Sequence, residues 1–113
     1  MEVRVQTKYL PISPRKLRLV CDQVRGLAAD QALTMLNFMP QKGAEFVSKT
    51  VASALASAVN NHDLNRGDLY VATIVADDGP SLKRVKAGAR GRYKPRIRRT
   101  SHLTVVLAER EER

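Results

Sequence analysis

The sequence predicts an α+β fold with three helices packed on a small antiparallel β-sheet and with a long, basic β-hairpin protruding from it. Three kinds of segment lead to this prediction. Three segments show the alternation of apolar and polar residues that is typical of half-buried strands. Three segments between the first and second of these have apolar residues at helical spacing. A stretch rich in Lys and Arg separates the last two strand-like segments.

The first strand and the first helix are marked by the residues at their boundaries. The two sides of a half-buried strand alternate over residues 3–8, with Val3, Val5 and Thr7 against Arg4, Gln6 and Lys8, and Pro11 ends this strand. Ser13 and Pro14 are preferred at the N-cap and first position of a helix, which is predicted to stop at Gly26. The apolar residues of this helix share one face and are expected in the core: Leu17, Val20, Cys21 and Val24.

A second face of the first helix carries Arg15, Arg18 and Arg25. Such a face is either solvated or directed at phosphate groups, because exposed cations suit both situations. The helix alone does not separate these two interpretations.

Two further helices are predicted before the next strand. One covers about residues 30–39 and is ended by Pro40. The other covers about residues 41–61 and is closed by the polar residues that follow it and by Gly67. Their inward residues are expected to be Leu33, Leu36 and Met39 in the first and Ala44, Val47, Val51, Ala54, Leu55 and Ala58 in the second.

Two more strands are predicted, over residues 69–76 and 101–108. The sequence Asp-Asp-Gly-Pro at residues 77–80 is expected to break or bulge the first of them. Residues 109–113 are expected to fray. Simple alternation would place Tyr70, Ala72, Ile74 and Ala76 on one side and Val71, Thr73 and Val75 on the other, and would set Leu103, Val105 and Leu107 against His102, Thr104 and Val106.

The charge of the chain is concentrated in one place. The net charge is +9, and residues 80–100 hold nine basic residues and no acid, so the remaining Lys and Arg are balanced by eleven Asp and Glu. A nearly neutral body with a cationic extension requires a polyanion as its partner. The nine basic residues are Lys83, Arg84, Lys86, Arg90, Arg92, Lys94, Arg96, Arg98 and Arg99.

This basic stretch is predicted to form a hairpin over residues 81–100, which we call the arm. Consecutive strands are most simply joined as hairpins, and Gly88 and Gly91 supply a turn near residues 88–92. A two-stranded ribbon with like charges on one face is expected to be ordered only when anions surround it. The cations that alternate along the second strand, and so share one face, are Arg90, Arg92, Lys94, Arg96 and Arg98.

Composition narrows the other possibilities. No run of eighteen apolar residues predicts a membrane span, and the N-terminus lacks the layout of a signal peptide. Cys21 alone forms neither an internal disulfide nor a Cys-rich zinc site, so a reducing cytoplasm is the expected compartment. Neither a cofactor nor a metal site is indicated.

Several short motifs suggest chemistry but have simpler explanations. Ser101 and His102 are adjacent on a predicted strand, where side chains point to opposite faces and cannot form a catalytic dyad. The acids at 77–78 suit a turn better than a metal site. The GxxG at residues 88–91 resembles a KH-domain clamp, yet its flanks are strand-like. Tyr93 either stacks on a base or packs on the hairpin. An enzyme is not indicated.

Four segments in the same order and spacing resemble one family, the bacterial form of protein twenty-two of the large ribosomal subunit. The similarity covers residues 2–110. The segments are 12–20 (ISPRKLRLV), 56–62 (ASAVNNH), 77–80 (DDGP) and 98–106 (RRTSHLTVV). One departure is Gly88, where members usually carry a basic residue.

The resemblance implies a structural constituent of the cytoplasmic ribosome that performs no chemistry and uses no cofactor. It implies early binding to large-subunit rRNA, with the globular part near the opening of the peptide exit tunnel and the hairpin along the tunnel wall. The implied partners are rRNA, neighbouring ribosomal proteins, the nascent peptide and macrolide antibiotics near the hairpin tip, and no membrane. The tip residues are Gly88, Ala89, Arg90, Gly91 and Arg92.

The resulting hypothesis treats residues 1–113 as one rRNA-binding domain, globular over 1–80 and 101–110. An alternative is an architectural DNA-binding protein whose basic arms embrace the minor groove, with Pro95 as a wedge. A third is a nucleic-acid enzyme that depends on His102 or Asp78. The residues expected to bind rRNA are Arg15, Lys16, Arg18, Arg25, Asn60, Asn61, His62, Lys83, Arg84, Lys86, Arg90, Arg92, Lys94, Arg96, Arg98 and Arg99.

Overall fold

The computed structural model describes residues 2–87 and 93–109. Within these residues it contains three α-helices, one short 3-10 turn at Arg66–Asp68 and five β-strands. In chain order the elements are β1 (Glu2–Leu10), α1 (Pro14–Val24), α2 (Ala29–Asn37), α3 (Lys42–His62), β2 (Leu69–Asp78), β3 (Leu82–Ala87), β4 (Tyr93–Arg98) and β5 (Ser101–Glu109).

Three of the strands form an antiparallel sheet in the order β1-β5-β2. The strand β5 lies in the centre, so the last described strand of the chain pairs with both earlier ones; Val105 lies opposite Val5 on one side and opposite Ile74 on the other. The strands β3 and β4 pair only with each other in a second, two-stranded sheet. The predicted fold class is therefore confirmed.

The core lies between the three helices and one face of the three-stranded sheet. Central apolar residues of β5 face the helices, and Leu103, Val105 and Leu107 are fully buried. The inward residues predicted for α1 are also buried, including Cys21. In α3 the long row of small residues allows its neighbours to approach closely; its buried apolar residues are Ala44, Val47, Val51, Ala54, Leu55 and Ala58, as predicted.

A β-bulge in β2 changes which residues of that strand reach the core. Val71 lies opposite Leu107, whereas Thr73, two residues later, lies opposite Val106, so β2 holds one extra residue at this point. The bulge reverses the alternation, and the predicted division of β2 into two faces is wrong. The residues that are buried together are Leu69, Val71, Ile74 and Ala76.

Element ends differ from the predictions by a few residues. The helix α2 ends at Asn37. The next two amides, of Phe38 and Met39, donate 3-10-type hydrogen bonds, and Pro40 has no amide hydrogen to extend the helix further. The helix α3 ends at His62, and Asp63 rather than a glycine takes the left-handed conformation, with φ of 54°. The strand β2 runs through Asp78, so the break predicted at residues 77–80 falls only on the last two.

The arm extends away from the body, which we define as the described residues 2–80 and 101–109. The whole chain measures 68 × 25 × 19 Å, the proportions of a compact unit with a long projection. In the arm, Leu82 lies opposite Arg98 and Ala87 opposite Tyr93. The predicted tip at residues 88–92 lies outside the described residues, as do residues 110–113.

Candidate nucleic-acid interface

The register of the arm collects cations from both strands at positions of one face. Residues that lie directly opposite each other in an antiparallel pair share a face. Arg84 lies opposite Arg96, and Lys86 lies opposite Lys94. Arg98 occupies the same set of positions, opposite Leu82. The predicted alternation of cations along the second strand is therefore matched by cations from the first strand.

The other face of the arm has a different composition. Lys83 lies opposite Ile97, Val85 opposite Pro95, and Ala87 opposite Tyr93. Apolar residue types occupy most of these positions. The arm is thus a ribbon with one cationic and one largely apolar set of positions, and Lys83 belongs to the second set.

This arrangement is electrostatically unfavourable for the isolated chain. Like charges directly opposite each other destabilise an antiparallel pair, and the described part of the arm has two such pairs, Arg84 with Arg96 and Lys86 with Lys94. A two-stranded ribbon is already marginal in water. Anions placed along the cationic positions would remove the repulsion, and the regular spacing of phosphates in a nucleic acid suits them.

The base of the arm is fixed to the sheet by two hydrogen bonds. The amide of Gly79 donates to the carbonyl oxygen of Thr100 at 2.9 Å. The hydroxyl of Thr100 donates to the carbonyl oxygen of Pro80 at 2.6 Å. A Cβ atom at Gly79 would lie 2.5 Å from the Thr100 hydroxyl oxygen and 3.2 Å from its backbone carbon, so this joint requires glycine.

A cationic cleft lies beside the base of the arm. Its volume is about 630 Å³, and it is lined by residues from the start of α1, by Asp78 at the end of β2 and by Arg99 of the arm. Four basic side chains face a single acid there, so the cleft has a strong positive excess. The basic side chains are Arg15, Lys16, Arg18 and Arg99.

The start of α1 adds to the positive potential of this cleft. Ser13 is the N-cap residue, yet its side chain makes no capping hydrogen bond, and the first turn contains no acid. The first amide hydrogens of a helix lack partners within it and carry a partial positive charge. Within the part of the chain that the structure describes, the side chains of Arg15 and Lys16 have no hydrogen-bond or ion-pair partner.

Arg18 and Arg25 have a structural role that neither sequence-based interpretation included. The Nε of Arg18 donates to the carbonyl oxygen of Ala76 at 3.0 Å, and Nη2 of Arg25 donates to that of Ile74 at 2.8 Å. Arg25 also pairs with Asp22 at 2.7 Å. These bonds cover the outer edge of β2, the kind of unpaired strand edge that other chains can otherwise bind.

The predicted residues at the end of α3 do not join the cleft. Asn60, Asn61 and His62 are exposed, and Asn61 donates to the Ser57 hydroxyl at 3.3 Å. The opposite end of α3 packs on α1, as the distance of 3.6 Å between Leu17 and a Cβ placed on Gly43 shows. A helix of 21 residues is about 30 Å long, so the residues at the end of α3 lie far from the part of α1 on which its first turn packs.

The structure also shows how the residues of the motifs that suggested chemistry are arranged. The hydroxyl of Ser101 donates to the carbonyl oxygen of Ile12 in the interior, whereas His102 Nδ1 accepts a hydrogen bond from the amide of Tyr9, so the two side chains do not meet. Among the described residues, no group of His, Cys, Asp and Glu is arranged to hold a metal ion. Burial raises the pKa of the Cys21 thiol to about 11, consistent with a core residue.

Two residues of this region were missed by sequence reasoning. Asp78 was assigned to a turn, but it ends β2 and lines the cleft. The sequence pattern does not single out Tyr9, which has a left-handed φ of 61° and is exposed. Neither position carries a sequence signal, because both depend on the register of distant strands.

No helix in the described segments has the length and apolar character that a membrane crossing needs.

Comparisons with known proteins agree with one another. Residues 5–108 match the family described as Ribosomal protein L22p/L17e. The chain is 50% identical over 111 residues to a protein of Thermoanaerobacter sp. (strain X514), which covers 98% of this chain and 100% of the relative. It is 52% identical over 109 residues to one of Desulfotalea psychrophila, covering 96% and 99%.

A third relative, from Thermus thermophilus, is 47% identical over 110 residues, covering 97% of each chain. All three relatives carry the name large ribosomal subunit protein uL22. The match covers nearly the whole chain, including the arm and the cleft. The chain therefore belongs to the ribosomal protein L22p/L17e family, the structural, non-enzymatic proteins of the large ribosomal subunit.

Proposed function

We propose that this chain binds large-subunit rRNA early in assembly, with the body near the opening of the peptide exit tunnel and the arm along the tunnel wall. Membership of a family of large-subunit ribosomal proteins supports an RNA partner within the cytoplasmic ribosome. The observation that carries the proposal is the pairing of Arg84 with Arg96 and of Lys86 with Lys94. Such pairs favour a phosphate-rich environment around the arm.

The cleft at the base of the arm is the proposed contact of the body. Phosphate groups there would meet the side chains of Arg15, Lys16 and Arg99 together with the N-terminal end of α1. Arg18 contributes as well, because a guanidinium has five N–H donors and the bond to Ala76 uses only Nε. We propose that Arg25 likewise contacts rRNA in addition to making its bonds to Ile74 and Asp22. These contacts position the protein on rRNA without reading its sequence.

The tip of the arm has a separate proposed role. Gly88, Ala89, Arg90, Gly91 and Arg92 lie outside the described residues, and their role rests on the family resemblance alone. The proposal places them at the tunnel wall, beside the nascent peptide and macrolide antibiotics. It also retains Asn60, Asn61 and His62 as a second rRNA contact at the far end of the body.

Neighbouring ribosomal proteins are the other proposed class of partner. Phe38 is 84% exposed at the end of α2, and Met35, one helical turn earlier, is 37% exposed. An exposed aromatic residue beside a flexible thioether suits a protein contact. This surface is distinct from the cationic arm.

A salt series with matched variants tests the proposal. The double variant Lys86→Gln/Lys94→Gln removes two cations from the cationic positions of the arm. The control Lys42→Gln/Lys49→Gln removes the same charge from α3, at two positions that are outside the arm and do not line the cleft. Affinity for deproteinised large-subunit rRNA is measured between about 50 and 200 mM salt.

The arm variant is expected to make the slope of log K against log[salt] shallower by about 1.4–1.8, from 0.7–0.9 per lost phosphate contact. The control is expected to keep the slope of the unaltered chain. Equal slopes for both variants would refute the role of the arm. Competition by duplex DNA at matched salt tests the architectural DNA-binding alternative, which predicts that DNA displaces rRNA.

A further inference from the structure

Tyr9 occupies a strained backbone position in β1. Thr7 lies opposite Leu103 and Leu10 lies opposite Ser101, so β1 has one extra residue between these pairs. Tyr9 adopts a φ of 61° at this bulge. Glycine usually occupies such a left-handed position, because a bulky side chain there is unfavourable.

The surrounding structure holds Tyr9 in this conformation. Its amide donates to His102 Nδ1 at 3.1 Å. The two rings meet edge to face, with 5.1 Å between their centroids and an angle of 89° between their planes. The bulge is anchored on both sides, by the hydrogen bond of 3.0 Å between the hydroxyls of Thr7 and Thr50 and by burial of Leu10. The ring is therefore fixed in direction.

Core packing does not explain this arrangement. Tyr9 is 64% exposed, so its ring contributes little apolar burial to the body. A glycine at the same position would keep the bulge and remove the strain. Backbone strain that folding itself does not require is found preferentially at binding sites. An exposed aromatic ring with a fixed direction is a suitable platform for a flat ligand.

The position of the ring favours a nucleobase as that ligand. His102 lies at the joint, because its Cε1 would be 3.2 Å from a Cβ at Gly79. The exposed cation Lys8 precedes Tyr9 in the chain, and Arg99 lines the cleft at the same joint. Single-stranded nucleic acids are held by this combination of cations for the backbone and aromatic rings for the bases.

We infer that Tyr9, held by His102, stacks on an unpaired rRNA base at the foot of the arm. This inference rests on the proposed binding of rRNA and adds a base contact to the phosphate contacts of the arm and cleft. A stacking contact differs from these in its signature, because it changes affinity without releasing counterions. The two kinds of contact can therefore be separated experimentally.

The first test compares Tyr9→Gly with Tyr9→Phe in the full chain. The glycine variant is expected to unfold at the same or a higher temperature, because it relieves the strained φ. Its affinity for deproteinised large-subunit rRNA is expected to fall about 5- to 150-fold with an unchanged salt slope. The phenylalanine variant is expected to bind as the unaltered chain does, because it retains the stacking surface.

The other outcomes contradict either the stacking inference alone or the proposed binding of rRNA. A glycine variant that binds rRNA as tightly as the unaltered chain would overturn the stacking inference and leave the proposed rRNA binding intact. A loss of thermal stability parallel to the loss of affinity would make Tyr9 a folding residue and overturn the inference too. Failure of the unaltered chain to bind rRNA would overturn the proposed function and, with it, this contact.

The second test identifies the partner directly. A benzophenone amino acid replaces Tyr9 in assembled large subunits, and the same label at Lys49, an exposed position on α3, gives the background. A light-dependent adduct between position 9 and rRNA, above that background, supports the inference. An adduct with a ribosomal protein, or no rRNA adduct above background, would overturn it.

Discussion

The amide of Gly79 and the carbonyl oxygen of Thr100 form a hydrogen bond of 2.9 Å at the point where the arm leaves the three-stranded sheet. Asp78 and Ser101 are the last paired residues of that sheet, and Leu82 and Arg98 are the first paired residues of the arm. The bond therefore lies between the two sheets and ties the base of the arm to the body. The cleft with Arg99 lies beside the same joint.

The substitution Gly79→Ala is expected to destabilise the chain by about 1–3 kcal/mol, because the added methyl group overpacks the joint. The methyl would lie 2.5 Å from the Thr100 hydroxyl oxygen, which is itself bonded to Pro80. Urea unfolding measures the change in the free energy of unfolding. Gly67→Ala is the control, because its nearest atom would be 3.6 Å away.

A second substitution identifies the clash. Thr100→Ala removes the hydroxyl oxygen that the methyl at position 79 would meet, so it is expected to recover part of the lost stability in the Gly79→Ala background. Strict additivity of the two substitutions would contradict the proposed contact.

Substitutions of Arg18 and of Arg15 are expected to change the stability of the chain by different amounts, although both residues line the cleft. Arg18→Met removes the hydrogen bond to Ala76 and should lower the free energy of unfolding by about 1 kcal/mol. Arg15→Met should change it by less than about 0.5 kcal/mol, because the Arg15 side chain is exposed and without a described partner. Both variants should weaken rRNA binding. Equal unfolding free energies would contradict the edge-covering role of Arg18.

The repulsion in the arm predicts opposite effects on order and binding. Lys86→Glu places an acid opposite Lys94 and should stabilise the free hairpin by about 0.2–1 kcal/mol, while weakening rRNA binding. Amide hydrogen exchange in β3 and β4 measures the first effect and a binding titration the second. Lys83→Glu, opposite Ile97, is the control for added charge. Unchanged exchange in Lys86→Glu would show that the opposed cations do not repel appreciably.

Cys21 predicts a pH dependence of stability at the alkaline end. Burial raises the pKa of its thiol from 9.0 to about 11, so the folded state keeps the neutral form that the unfolded chain loses first. Its contribution to stability is complete below pH 9 and is lost as the pH rises from about 9 to about 11. Urea unfolding across this range should show a steeper decline for the unaltered chain than for Cys21→Ala. Parallel curves would contradict the burial effect.

Much of the body could be predicted from sequence because its patterns are local. The apolar face of α1, the stripe of α3 and the alternation of β5 depend on residue spacing within one element. The faces of β2 could not be predicted in this way, because the extra residue near Ala72 is defined only by its pairing with β5. Likewise, the bonds from Arg18 and Arg25 depend on where α1 crosses the edge of β2.

The site was predictable in composition and not in geometry. The cations of the arm are visible in the sequence, but the opposition of Arg84 to Arg96 requires the register. The cleft joins α1 with Arg99, which lies about eighty positions later in the chain. The backbone conformation of Tyr9 depends on a bulge that no sequence pattern indicates. Local patterns thus predicted which residues carry charge, and the pairing of distant strands determined where they meet.

Retention on large ribosomal subunits through a high-salt wash tests the central claim most directly. The unaltered chain is compared with a variant in which the cationic positions Arg84, Lys86, Lys94, Arg96 and Arg98 are all glutamine. We predict that the unaltered chain sediments with the subunits after the wash and that the variant, with its body still folded, is removed. Equal retention of the two proteins would contradict the claim that rRNA phosphates hold the arm.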